Sequence, residues 1–140
     1  MTASAGTWDR LGILYARLAL GAAFLSAVGS RFGVWRGEPG LRHFPEFIRY
    51  TASVNAFMPA ATIPFLAWAA TAAELSLGVA LIAGYRVRWA ALGSAVLLAL
   101  FATAMAISFG IKSPMDYSVF SASAAALLLA RAEGSRPPSR

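Results

Sequence analysis

Four stretches of the chain are apolar and almost free of charge: Leu11 to Val28, Ile63 to Ala83, Trp89 to Phe109 and Tyr117 to Ala130. A helix of about 20 residues rises roughly 30 Å, the thickness of a bilayer's hydrocarbon layer. The first stretch extends back to Trp8 as an interfacial anchor. The second tolerates Pro64 in its first turn, where the missing N–H has no helical partner anyway, and Gly84 ends it. The third begins on another interfacial aromatic and stops at Gly110. The fourth covers only about 21 Å unless Met115 and Asp116 join it. The pattern predicts an all-α chain, an integral membrane four-helix bundle with spans at about 8–28, 63–83, 89–109 and 115–130. One membrane domain over residues 1–132 is expected, followed by a disordered polar tail, 133–140, containing Pro137 and Pro138.

Two charges interrupt this pattern. Glu74 falls about 16 Å into the second stretch and Arg17 about 9 Å into the first. An ionised side chain at such depth costs at least a few kcal/mol unless it is paired, solvated or neutralised. Each is followed four residues later by glycine, Gly21 and Gly78, so each charge shares a helix face with a notch where backbones can approach. If the first two helices run antiparallel, arginine's reach permits an Arg17–Glu74 pair, and Arg17 is the expected partner. Three roles stay open: a pair that fixes the bundle's arrangement, a polar cavity in which Arg17 and Glu74 bind a small anion or a quinone headgroup, and an Arg17 that snorkels to the interface. Small residues recur every fourth position at Ala72, Ser76, Ala80 and Gly84, and at Ser118, Ala122, Ala126 and Ala130, and read as helix-packing stripes.

The connection from Gly29 to Thr62 is long and mixes aromatics with charges, above all from Leu41 to Tyr50. It reads either as a connector lying among lipid headgroups or as a lid over a site open to one membrane face. Around that mouth Arg31, Asn55, Asp116 and Tyr117 are candidate ligand-binding residues. Asp116 has an alternative reading as a helix-start charge, Asn55 as a turn residue and His43 as a solvated interfacial histidine. Arg86 and Arg88 in one short turn, with Arg131, Arg136 and Arg140 in the tail, place both termini in the cytoplasm by the positive-inside rule.

Composition narrows the chemistry. The chain of 140 residues is 59% hydrophobic and 13% charged, against about a quarter charged in soluble domains. The net charge of +6 arises from basic residues that flank apolar runs. They suit anionic headgroups, and no nucleic-acid partner is expected. Without cysteine the chain offers no iron–sulfur ligation and no covalent haem attachment, and one histidine cannot supply two axial ligands. No metal site is expected. A redox role would use a partner or a diffusible carrier such as a quinone. Ala27-Val28-Gly29 meets the small-residue requirement of a signal-peptide cleavage site, but Arg17 and a barely basic start favour a retained helix.

Three motifs carry a family resemblance. They are Arg17-x-x-x-Gly21 with Phe24-Leu25 and Gly29-x-Arg31; Ala73-Glu74-Leu75 with Gly78-Val79-Ala80-Leu81, Gly84 and Trp89-Ala90-Ala91; and Lys112-Ser113-Pro114-Met115-Asp116-Tyr117. In this order they resemble the DoxX-like family of bacterial membrane proteins, over about residues 11–130. At Arg31 that family more often carries lysine. The resemblance implies a four-helix bundle in the bacterial inner membrane. Members of that family are linked to membrane redox and oxidative-stress complexes, so the leading expectation is an accessory or small subunit in such metabolism. From the residues themselves, a quinone or small oxyanion would be handled beside Arg17 and Glu74, with Glu74 taking or giving the proton. The expected partners are the lipid bilayer, a membrane or soluble redox protein, and a second copy of the chain. An enzymatic role would be as part of a quinone-linked oxidoreductase. The alternatives are a small proton-coupled transporter and a non-catalytic anchor or assembly partner.

Overall fold

The computed structural model describes residues 2–35 and 43–135. Its elements are α1 (Thr2–Arg31), α2 (Phe44–Val54), a 3-10 turn (Ala60–Thr62), α3 (Ile63–Ala83), α4 (Val87–Phe109), α5 (Lys112–Asp116) and α6 (Val119–Gly134). The described residues are all-α. Three stretches are long and apolar enough to cross a membrane: Gly6–Arg31, Ala60–Ala83 and Val87–Phe109. Phe65, Val96 and Leu100 on them are largely exposed, as lipid-facing side chains must be.

α1 packs along α3 and α4 along α6, while α3–α4 and α1–α6 contacts close the ring. Short turns between α3 and α4 and around α5 make sequential helices antiparallel. α3 turns its buried residues inward at Ala67, Thr71, Glu74, Gly78 and Leu81. Ala72 and Ser76 face outward, so the small-residue stripe expected there is not the packed face. In α6 the expected stripe does pack: Ala126 and Ala130 are buried with Ala91 and Ala95 of α4, where small side chains let the backbones approach. Ser123 adds a cross-helix hydrogen bond, donating to the Ala95 carbonyl at 2.8 Å.

The α1–α3 crossing is set by two glycines. A Cβ on Gly21 would lie 3.1 Å from the Gly78 carbonyl oxygen, and one on Gly78 would lie 3.2 Å from the Gly21 oxygen. With residues 21 and 78 opposed on antiparallel helices, each residue of α1 faces a fixed level of α3.

The fourth apolar stretch is not one helix over 115–130. Ser118 takes a left-handed conformation, φ 56°, which ends the continuity between α5 and α6. α6 then runs on through Glu133 and Gly134, where a disordered tail had been expected; residues 136–140 lie outside the described residues. α1 likewise reaches beyond 8–28, and α4 starts at Val87 instead of Trp89. The long connection contains α2, whose Pro45 sits in the first turn and whose Phe47, Thr51 and Val54 are buried. Leu41 and Arg42 of the aromatic stretch lie outside the described residues.

Candidate functional site

Glu74 is paired, and its partner is Arg31, not Arg17. Arg31 Nη2 meets Glu74 Oε2 in an ion pair whose side chains are 7% and 6% exposed. Register and side-chain direction explain this. Opposing Gly21 with Gly78 sets Arg31 near the level of Ala67 and Trp68. Helical side chains lean towards their own N-terminus, and on α1 that direction brings Arg31 down to Thr71 and Glu74. The same lean carries Arg17 away from Glu74 to the C-terminal end of α3. Its Nη1 lies 3.0 Å from where a Cβ on Gly84 would stand. Gly84 has φ 74°, and the Gly84 and Tyr85 N–H groups donate back to Ala80 and Leu81 carbonyls. A guanidinium beside such a helix end is favoured by the dipole. The Nε of Arg17 is buried without a hydrogen-bond partner among the described residues.

Three further groups complete the surroundings of the pair. Arg31 Nη1 donates to Thr71 Oγ1 at 2.8 Å, and Thr71 donates in turn to the Ala67 carbonyl at 2.8 Å. The Phe47 ring of α2 lies over the guanidinium, 3.6 Å from Cζ to ring centroid, a cation–π contact. Glu74 Oε2 takes no hydrogen bond of ordinary geometry among the described residues, so the charge of Arg31 is what balances it.

α2 is held over this pair by aromatic contacts and by one bond to α4. Phe44 packs on Trp68 with centroids 4.0 Å apart and stacks on Phe32 at 5.8 Å. Ser108 donates to the Val54 carbonyl at 2.5 Å. Burial, and then the charge of neighbouring Tyr117, pushes the Tyr50 phenol of α2 above its usual range.

The other expected mouth residues do not join Arg31. Asn55 is the C-cap of α2, its Nδ2 donating to the Thr51 carbonyl at 2.9 Å. Asp116 pairs with Lys112 on the exposed face of α5. Tyr117 is 75% exposed. His43 precedes α2 as an exposed N-cap without a side-chain capping bond. Thr71, Phe47, Phe44 and Trp68 were missing from the sequence-based site. The spacing Thr71-x-x-Glu74 places both polar side chains on one helix face and was the available signal for the first. Among the described residues no group of acidic or histidine side chains is disposed to hold a metal ion.

An apolar, all-helical membrane protein with a buried arginine–glutamate pair joining two of its helices is thus defined. Residues 12–115 match the DoxX family, and the chain belongs to it. The match ends before Asp116, Tyr117 and α6. No curated protein and no solved structure matches the chain.

Proposed function

We propose that this DoxX-family protein is a multi-pass component of the bacterial inner membrane. It serves membrane redox or oxidative-stress metabolism as an accessory or small subunit, and Arg31 and Glu74 beneath α2 receive the headgroup of a quinone or a small oxyanion. The observation that carries this reading is the buried Arg31–Glu74 pair under the Phe47 ring. The surroundings fit an oxygen-bearing planar headgroup. A guanidinium has five N–H donors, suited to carbonyl or oxyanion oxygens. Phe47 covers the guanidinium and Phe44 packs on Trp68 beside it, so a headgroup would enter by displacing an aromatic ring, and Glu74 is a carboxylate that can exchange a proton. A bound quinone would supply the two-electron chemistry. The chain would bind it, orient it and exclude water. α1, α3, α4 and α6 form the four crossings of this reading, with both termini cytoplasmic and α2 on the outer face.

A second reading has its own support. Each member of the pair already has a partner within the chain, which favours a clamp between α1 and α3 in a non-catalytic anchor. Glu74→Gln separates the readings, with extraction in mild detergent, mass spectrometry of bound small molecules and quinone-dependent electron flow in membranes. The proposed function expects wild-type protein to carry the ligand. Glu74→Gln leaves Arg31 without its counter-charge and should be less stable, so monodisperse elution selects the assembled fraction, which should lose both ligand and electron flow. Unchanged electron flow with a normally assembled variant overturns the redox reading in favour of the anchor. Loss of proton-driven export instead identifies a transporter.

A further inference from the structure

A cavity lies at the opposite end of the bundle from α2. It is a groove of about 730 Å³ between the start of α1 and the end of α6, within the size range of small-molecule sites. Its depth is apolar, with Ile13 and Ala16 facing Leu128 and Leu129, and its rim carries Trp8, Asp9 and Arg10. Along α1, Ile13 and Ala16 lie about one to two turns inward of Asp9 and Arg10, and Trp8 stands at the outer end, where an interfacial tryptophan belongs.

Among the residues that line the groove, two carry charge and bear on its occupant, while Arg88 stands outside it beside Gly134. Asp9 and Arg10 are adjacent, exposed and of opposite sign, and among the described residues neither makes an ion pair within the chain. A phospholipid with a phosphate followed by a primary ammonium presents the same two charges in complementary order. A purely anionic headgroup would satisfy Arg10 and be repelled by Asp9. A quaternary ammonium has the charge but no N–H to donate. We infer that the α1–α6 groove is a binding site for an aminophospholipid of the ethanolamine type. Its phosphate sits on Arg10, its ammonium on Asp9, and an acyl chain lies along Ile13, Ala16 and Leu128.

The test is native mass spectrometry of the full-length protein in mild detergent, titrated with dioleoyl phosphatidylethanolamine, phosphatidylglycerol or phosphatidylcholine at equal concentration. The wild-type protein should retain phosphatidylethanolamine most strongly. Removing one charge-assisted contact should lower its retention about tenfold in Asp9→Asn and in Arg10→Gln. Asp9→Asn should also shift the preference to phosphatidylglycerol. Leu128→Trp, which fills the slot and leaves both charges, should reduce retention of all three lipids. Preference of the wild type for phosphatidylglycerol, equal retention of the three lipids, or retention unchanged in Asp9→Asn and Arg10→Gln would overturn the assignment. Both charge variants lie on the exposed rim, so monodisperse elution provides the folding control.

Discussion

At the scale of single residues, Arg31 and Glu74 matter chiefly because neither tolerates losing the other. Two ions taken out of water recover their desolvation only by pairing, and removing one partner of a buried pair typically costs about 3–5 kcal/mol. Arg31→Ala is therefore expected to lower the unfolding midpoint in detergent sharply. The double variant Arg31→Met/Glu74→Met should regain most of the loss, because no uncompensated charge remains; thermal unfolding followed by circular dichroism compares the three proteins. Thr71→Val should cost about 1 kcal/mol, the ordinary value of one hydrogen bond. The cost of an intramembrane charge made Glu74 visible in the sequence as a singular position. Its partner was not visible, because charge depth suggests Arg17 while the partner is chosen by helix register and by the direction in which side chains lean. Neither can be read before the glycine crossing is known.

At the scale of elements, α3 was legible at both ends. Pro64 and Gly84 are local signals with local causes, and Ile63 and Ala83 bound the helix they mark. α2 was legible only as an interfacial stretch. It is too short to read as a span, and its Phe47–Thr51–Val54 face gains meaning from what lies beneath it. The break at Ser118 was not legible, since a left-handed serine is a tertiary outcome that propensity does not foresee. Two outcomes follow. Gly78→Ala must displace Leu25 and approach the Gly21 carbonyl oxygen, and should cost about 1–3 kcal/mol, as overpacking does; unfolding in detergent measures it. For α2, the raised Tyr50 phenol means that the docked helix resists ionisation more than the undocked chain does. The stability this contributes is present below the ordinary tyrosine range, near pH 10, and is lost as pH rises through and above it. In a variant with Trp8, Trp35 and Trp89 replaced by phenylalanine, fluorescence of Trp68, which packs on Phe44, should report α2 loosening in alkali, and Tyr50→Phe should reduce that loss.

At the scale of the whole molecule, hydropathy alone identified an all-helical membrane protein, because lipid imposes an apolar exterior that sequence displays directly. Orientation rests on where the arginines gather. Arg10, Arg17, Arg86, Arg88 and Arg131 all stand at the end that holds the start of α1 and the close of α6. The chain contains no cysteine, so any cysteine introduced is the sole thiol. Ser135→Cys in right-side-out vesicles should resist a membrane-impermeant maleimide, and Ser53→Cys on α2 should react with it. The reverse pattern would invert the proposed topology, and labelling of both would imply an odd number of crossings.

The crossing of α1 and α3 at Gly21 and Gly78 also acts as a fulcrum. From Gly21 the arm to Arg31 is about 15 Å and the arm to Arg17 about 6 Å. A tilt of α1 about that point swings the two arginines in opposite directions, the Arg31 end through the larger arc. A change in the α1–α3 crossing angle is therefore felt most at the Arg31–Glu74 pair, which stands at the end of the longer arm.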